Sequence, residues 1–472
     1  MQGSQICEQL STDESAMARL QHFVAQRQAA RGPVRDLEAF EQELHALFAA
    51  AEREALGQEL ARFDVDVPAI EVEGKTYRRV LRCEQSYVSA AGPLRVERTL
   101  YAQRQEEERS LCPLELQAGV VEGHWTPLAA KQATWVVAHL TPQEGEELFA
   151  MLGNMIPSKS SLDRLPKQLS ARWEQQRQQF ETVLRRQEAV PEQAATLAVS
   201  LDGVMVAMKD GGRAEKRACA AARGQHMRGP AGHQEAGCAT ISYYDKDGER
   251  LCTRRMARMP QGNKHTLKEL LTAEVTAALT ARPELCLVKL ADGAPDNWSY
   301  LTNELPPGQE VVDFYHAAEH LHAALGAAYG ETSPACKAQF EKLRRVLRDD
   351  PRGVDKVIRS LRHLHNRYPR RKKISAAVTY FRHRRHQMRY AQAQAHNLPI
   401  GSGVVEAACK TLVTQRMKRS GMRWRHAGGQ AILTFRALLQ SDRFDRAWPL
   451  LSGTYRREVK LPHKVIALSD WR

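Results

Sequence analysis

TLAVSLDGVMVAMK, residues 196–209, is the stretch whose reading decides the fold. Its apolar run, rich in Val and Leu, has the texture of a largely buried strand. Asp202 stands in the middle of it. Aspartate is depleted in strands, and a desolvated carboxylate without a partner is costly. A compensating group is therefore expected, either a Lys or Arg side chain or a divalent cation.

Outward from this strand the texture alternates between strand and helix. RACAAA (217–222), GCATISYY (237–244) and GERLCTRRM (248–256) read as further strands, and residues 263–281 as a helix. ELCLVKLADGAPDN (284–297) is a buried strand ending at Asp292, with a helix after it. EVVDFYH (310–316) is another strand, ending at Asp313. Helices are expected over 316–328, 334–349, 353–366 and 374–393. GSGVVEAACK (401–410) closes the unit as a helix opened by Ser402. A meander, then strand–helix–strand, then helices, describes an α/β sheet with a helical insertion before its last helix.

Toward the N-terminus, Leu37, Phe40, Leu44, Leu47 and Phe48 recur at helical spacing and predict a helix over 35–62 that packs on another helix. Two runs rich in Val, Tyr and Thr flank AAGP within 76–101, the pattern of a β-hairpin. Thr141 and Glu144 have capping-box spacing, Gly153 marks a helix end, and Ser158 or Ser160 can cap a second helix. This is the outline of a helix-turn-helix, with Lys159, Arg164 and Lys167 placed to reach phosphates; an ordinary helical hairpin has the same outline. The expected organisation is an N-terminal helical region (1–62), a β-hairpin region (63–120) and a helix-turn-helix region with a connecting helix (121–190). A catalytic domain follows in two parts (195–330 and 396–440), split by an all-α insertion (331–395), before a C-terminal tail (441–472).

Charge is distributed unevenly along the chain. Residues 356–441 hold 19 Lys and Arg and a single acid, Glu406, a net of +18; the remainder sums to −4, with 50 basic and 54 acidic residues. Such a segment fits a polyanion, most simply nucleic acid, although a solvated basic face has the same composition. From Arg367 to Arg389 there are nine Lys or Arg, including Arg371, Lys372 and Lys373, interleaved with Tyr368, Tyr380 and Phe381. These aromatics are expected in the core of a helical subdomain. Lys410, Arg416, Lys418, Arg419 and Arg423 continue the positive surface past Glu406, and Trp424 is read as core. Nine cysteines without a CxxC pair argue for reduced thiols in a cytoplasmic protein, and DNA as partner makes a nucleoid-associated one the expectation. No apolar run is long enough for a membrane span, and no secretion signal is read at the start.

Glu406 can be explained by the helix dipole alone. The dipole does not explain why every other acid of the basic segment is missing. A DNA-binding surface that keeps one carboxylate as a metal ligand explains both. Asp292 can likewise be read as a helix cap, but Asp296 is the better-placed cap. Asp202, Asp292 and Glu406 together can hold two Mg²⁺ or Mn²⁺ ions for in-line phosphoryl displacement, the chemistry of a ribonuclease-H-like nuclease or strand transferase.

SLDG (200–203), LADGAP (290–295), VVDFYHAAEHL (311–321) and GSGVVEAACK (401–410), followed by RMKRSGMRW (416–424), resemble bacterial insertion-sequence DDE transposases of the ISKra group. The resemblance runs from about 75 to 450. It implies a ribonuclease-H-like domain in which Asp202, Asp292 and Glu406 form the triad, at gaps of 90 and 114 residues like those of the Mutator and hAT relatives. It further implies that Asp313 and His316 match an Asp-x-x-His motif that orients the scissile DNA, that Mg²⁺-dependent cleavage at transposon ends precedes strand transfer, and that the protein works as a homo-oligomer. Two other readings remain open at this point. HAAEH (316–320) fits a zinc metalloprotease motif with His316 and His320 as ligands and Glu319 as base. A DNA-binding protein without catalysis would need no triad.

Overall fold

The computed structural model describes residues 15–103, 110–153, 155–209, 212–225 and 232–462, with the side chains of residues 212–214 also outside the described set. The chain forms two compact units, residues 1–176 with 445–472, and residues 177–444. The division falls inside the segment that the sequence reads as one long polar helix.

In the first unit, helices α1 (Ala16–Ala29) and α2 (Leu37–Ala61) pair, with Phe23 stacked on Phe40 at 5.6 Å. Strands β1 (Ala69–Val72), β2 (Lys75–Ser89) and β3 (Gly92–Ala102) make an antiparallel sheet in that order. β2 and β3 are the expected hairpin, closed at the Ser89–Gly92 pair over Ala90 and Ala91. Tyr87, Leu94 and Val96 bury one face against Leu60 and Leu114. A short α3 (Pro113–Ala118) leads to α4 (Pro127–His139), α5 (Pro142–Leu152) and α6 (Lys159–Gln175). The Thr141 hydroxyl accepts from the Glu144 amide at 3.2 Å and the Glu144 carboxylate accepts from the Thr141 amide at 2.7 Å, completing the capping box. Gly153 ends α5 at φ 71°, a conformation that favours glycine, and Ser158 caps α6 through the Ser161 amide. Thr141→Ala should cost about 1 kcal/mol, read as faster amide exchange across Pro142–Leu152; unchanged exchange would show that the cap is dispensable.

The second unit opens with α7 (Arg177–Gln187) and is built on a five-stranded sheet: β4 (Thr196–Ala207), β5 (His233–Tyr244), β6 (Arg250–Arg258), β7 (Cys286–Ala291) and β8 (Gln309–Val312). The strand order is β6-β5-β4-β7-β8; β4 to β6 form the antiparallel meander, while β7 and β8 run parallel to β4. Between the meander's first two strands lies helix α8 (Gly212–Ala222). RACAAA is therefore helical and not a strand; its alanines are strong helix formers, and nothing in the sheet offers them a partner. One sheet face is covered by α9 (His265–Ala281), whose Leu267, Leu271 and Val275 are fully buried. α10 (Pro295–Asn303) connects β7 to β8.

After β8 comes α11 (Phe314–Tyr329), then the helices α12 (Pro334–Asp349), α13 (Gly353–Arg367), α14 (Lys372–His383) and α15 (Tyr390–Ala395). The expected helix over 374–393 is thus broken, by a short 3₁₀ turn at Arg385–Gln387. Leu343, Leu347, Val357, Leu361, Ile374 and Phe381 form one apolar core that is continuous with the sheet. α16 (Gly403–Ala408) runs into a wider π-helical turn, Cys409–Thr414, and then α17 (Gln415–Met417). α18 (His426–Gln440) and α19 (Phe444–Gly453) complete the chain, so part of the expected C-terminal tail is helical.

Among the described residues no helix is long and apolar enough to cross a membrane. The eight described cysteines are all free.

Candidate active site

β4 pairs with β5 along its whole length but with β7 only from Thr196 to Ser200, where Ser200 faces Leu290. Continuing that parallel register by two residues sets Asp202 level with Asp292, past the end of β7. Asp202 thus lies within β4 just beyond its pairing with β7, and Asp292 just past the carboxyl end of β7, the side on which α/β sheets place their chemistry. Asp202 is half-buried. Its Oδ1 accepts from the Gly203 amide at 2.7 Å, and its Oδ2 accepts from the Cys409 thiol at 3.5 Å. Burial pushes the Asp202 carboxyl above the usual range and the Asp292 charge pushes the same way; the Gly203 N–H, the Cys409 thiol and the Lys264 ammonium oppose them. No salt bridge to Asp202 occurs among the described residues, so the lysine or arginine partner that its position invited is not there in contact.

Asp292 Oδ1 accepts from the Ala294 amide at 3.1 Å. The helix cap is Ala294, with Pro295 behind it, so Asp296 sits inside the first turn of α10 and is not the cap. Asp292 is thereby left at the sheet edge holding a single local hydrogen bond, with its main-chain oxygen taken by the Trp298 indole.

Glu406 lies in the first turn of α16, which packs on β4 and β5. Ser402 precedes that helix, but its hydroxyl does not cap it; it donates to Glu406 Oε1 at 2.9 Å. One turn further along, Cys409 touches Asp202. The helix of the third acid is thus docked at the first acid, while the Glu406 side chain is exposed and turned to Ser402. Among the described residues no three His, Cys, Asp or Glu side chains stand close enough together to hold a metal ion. The structure gathers the elements that carry the three acids without closing their carboxylates into one cage.

Asp313 has a different place from the one the family resemblance implied. It is 1% exposed, and its carboxylate accepts from the His316 amide at 2.6 Å and from the Ser402 amide. Its own amide donates to Ala291, the residue before Asp292. Asp313 is a buried clamp joining the end of β7 to the start of the Glu406 helix and offers no free oxygen to DNA. His316 is 37% exposed, next to Glu319 at 3.6 Å and edge-on to His320 at 4.9 Å. His320 is stacked on Tyr380 at 4.1 Å, and burial lowers its pKa first of all. The zinc protease reading lacks its third ligand among the described residues.

Tyr380 comes from the helical insertion. Its hydroxyl is buried without a hydrogen-bond partner. Burial, then the Asp292 and Asp313 carboxylates, push its ionisation well up. Gly293 makes this approach possible, since a Cβ there would sit 2.4 Å from the tyrosine ring. An orphaned donor beside two acids is a place for a water or a metal-bound ligand. The all-oxygen donor set of Asp202 and Asp292 has the chemistry of a Mg²⁺ or Mn²⁺ site, while the Glu406 carboxylate is held by the Ser402 hydroxyl.

Of the basic residues singled out by the sequence, Lys159, Arg164, Arg371, Lys372, Lys373, Lys410, Lys418 and Arg423 are exposed, and Arg419 is half-buried. Arg371, Lys372 and Lys373 border a cavity of about 680 Å³ that Tyr315, His322, Phe340 and Arg344 also line. Arg416 is the exception. It is 2% exposed with its guanidinium 5.5 Å above the Trp424 ring, so it braces the core instead of facing DNA. Phe381 and Tyr390 are core, as their spacing in a helical subdomain required. Trp424 is packed as well, its indole donating to Met417 at 2.8 Å and its backbone bridging to β4 beyond Ala207.

Sequence reasoning missed Cys409, Lys264, Asn297 and Glu235 near the acids. Of these only Lys264 had a local signal in the sequence, the Gly262–Asn263 turn pair before it; in the structure Asn263 and Lys264 take positive φ of 54° and 51°.

No family model matches the chain. No curated protein matches it either. Among solved structures it has a weak likeness to the Drosophila P element transposase strand transfer complex, at 9% identity and a TM-score of 0.25, over 70% of this chain and 83% of that one.

Proposed function

We propose that the protein is a DDE-type DNA transposase of a bacterial insertion sequence, with Asp202, Asp292 and Glu406 as its acids and DNA as its substrate. The observation that supports this best is the register of β4 and β7, which, extended two residues past the Ser200–Leu290 pair, sets Asp202 beside Asp292, with no salt bridge to Asp202 among the described residues. Two like charges at a half-buried edge are unfavourable unless a cation joins them. The antiparallel meander continued by two parallel strands is the sheet that a ribonuclease-H-like domain needs, and α16, which carries Glu406, packs on β4 and β5.

Two bound Mg²⁺ ions would supply activation of the attacking oxygen and stabilisation of the leaving oxygen. The chain's own contributions are separate. Asp202 within β4 and Asp292 just past β7 hold the ligand oxygens. Asp313 fixes the start of α16 relative to Asp292 through Ala291 and Ser402. Glu406 joins the site by releasing the Ser402 hydroxyl. The exposed cations of the insertion and of residues 410–425 hold the duplex backbone by charge.

The test is strand transfer of an oligonucleotide carrying the element's own end, with and without Mg²⁺. Metal-dependent joining that disappears in Glu406→Gln is expected. Metal-independent activity, or full activity in Glu406→Gln, would overturn the assignment. The DNA interface makes a second prediction. Replacing Arg371, Lys372 and Lys373 together by Ala should reduce the slope of log K on log salt by about two to three, with little effect on stability because all three are exposed. An unchanged slope would remove the insertion from the interface.

A further inference from the structure

Lys264 stands at the carboxyl edge of the sheet on a backbone that is expensive to hold. Both it and Asn263 are in the left-handed region, at φ, ψ of 51°, 32° and 54°, 18°. Such conformations in non-glycine residues persist where the surroundings enforce them, and they concentrate at functional sites. The enforcement is visible: the buried Lys268 donates to Asn263 Oδ1 at 2.7 Å, and Lys268 is itself above the Tyr300 ring. The strained turn holds the Lys264 ammonium 3.3 Å from Asn297 Oδ1 and 3.3 Å from Glu235 Oε1. Asn297 is 4% exposed and donates to the carbonyl of Leu201, next to Asp202. Two acceptors leave an ammonium with one donor to spare.

The two partners differ in kind. Asn297 is buried and fixed. Glu235 is exposed, with 47% of its side chain accessible, and lies directly over Gly203. A Cβ on Gly203 would be 1.9 Å from Glu235 Oε1, so the glycine of SLDG is what lets this carboxylate settle at the edge of the site. An ion pair with so exposed a carboxylate contributes little and is readily exchanged.

Resting on the transposase reading, we propose that Lys264 anchors a backbone phosphate of the DNA adjoining the acids, and that Glu235 occupies the phosphate's place in the free protein. On binding, a phosphate oxygen replaces Glu235 Oε1 on the ammonium, while Asn297 keeps the lysine aimed. Glu235 then acts as a built-in competitor that weakens binding of DNA not seated at the acids.

The experiment measures binding of a short duplex of arbitrary sequence in EDTA, as a function of salt, for wild type and for Lys264→Gln, Lys264→Arg and Glu235→Gln. Lys264→Gln should bind several-fold more weakly with a salt slope shallower by about one, and Lys264→Arg should restore both. Glu235→Gln should bind several-fold more tightly than wild type. A lysine with a purely structural role would leave the slope unchanged and give no gain in Glu235→Gln, and either result overturns the proposal. If wild type fails to bind the duplex at low salt, the transposase reading itself falls, and the proposal with it.

Discussion

Asp202→Asn will abolish metal-dependent DNA cleavage, lowering its rate by about a thousandfold or more, while leaving duplex binding in EDTA essentially unchanged. The reason is local. Asp202 is half-buried within β4, and its hydrogen bonds come from Gly203 and Cys409. The substitution keeps the side chain's shape and removes its charge from a half-buried position beside Asp292. It should therefore make the metal-free protein more stable, as many active-site changes do, by about 0.5–2 kcal/mol. Added Mg²⁺ gives the opposite contrast. Ligand at about a hundred times its dissociation constant stabilises a protein by about 2.7 kcal/mol, so wild type should melt higher with Mg²⁺ and Asp202→Asn should not. A variant that cuts DNA normally, or whose melting responds to Mg²⁺ like that of wild type, removes Asp202 from the site.

Arg443→Ala will destabilise the second unit by about 3–5 kcal/mol. Arg443 donates to Glu188 at 2.8 and 2.5 Å and to Glu274 at 2.9 and 2.9 Å. All three side chains are under 10% exposed, and Arg254 bridges the same two carboxylates from β6 at 3.1 and 3.0 Å. Removing Arg443 leaves two buried carboxylates sharing Arg254, with Arg185 at 3.7 Å from Glu274. The network joins the ends of α7 and α18 to the middle of β6 and of α9, so its loss loosens the frame around the sheet. The pH dependence follows from Glu274. Burial pushes its carboxyl up, but Arg443, Arg254 and Arg185 outweigh burial and hold it below the ordinary 4.5. A carboxyl with a depressed folded-state pKa stabilises fully above its unfolded value and loses that contribution as pH falls through the folded one. The gap between wild type and Arg443→Ala should thus be full at neutral pH and narrow below about 4.5. Chemical denaturation across that range checks it; a gap under about 1 kcal/mol at neutral pH would mean that the network contributes little.

Much of the fold was legible in the sequence where its signals are local. The apolar runs around Asp202 and Asp292 announce strands whatever they pair with. Thr141 and Glu144 announce a helix start through three residues of spacing. RACAAA misled because a short alanine-rich run fits helix and buried strand alike, and only the lack of a strand partner decides. Arg416 misled because charge in a basic segment reads as surface, whereas the stem and guanidinium of an arginine can pack on an aromatic ring. The contrast between Asp313 and Glu406 is sharper. Both are acids at helix starts, yet one is consumed by two amide hydrogen bonds and the other is exposed.

By itself, the sequence determined many of the turns and buried runs, that 356–441 is cationic, and that Asp202 stands inside an apolar run and Asp292 at the end of another. These depend on periods of two and 3.6 residues and on composition, which neighbouring residues carry between them. The tertiary structure alone decided the strand order that sets Asp202 level with Asp292. It also decided that Cys409 and Asp202, 207 residues apart, touch, and that Glu235 takes the free hand of Lys264. Contacts at such separation depend on how the whole sheet closes, and the closing geometry is a property of every packed residue together, not of any spacing along the chain.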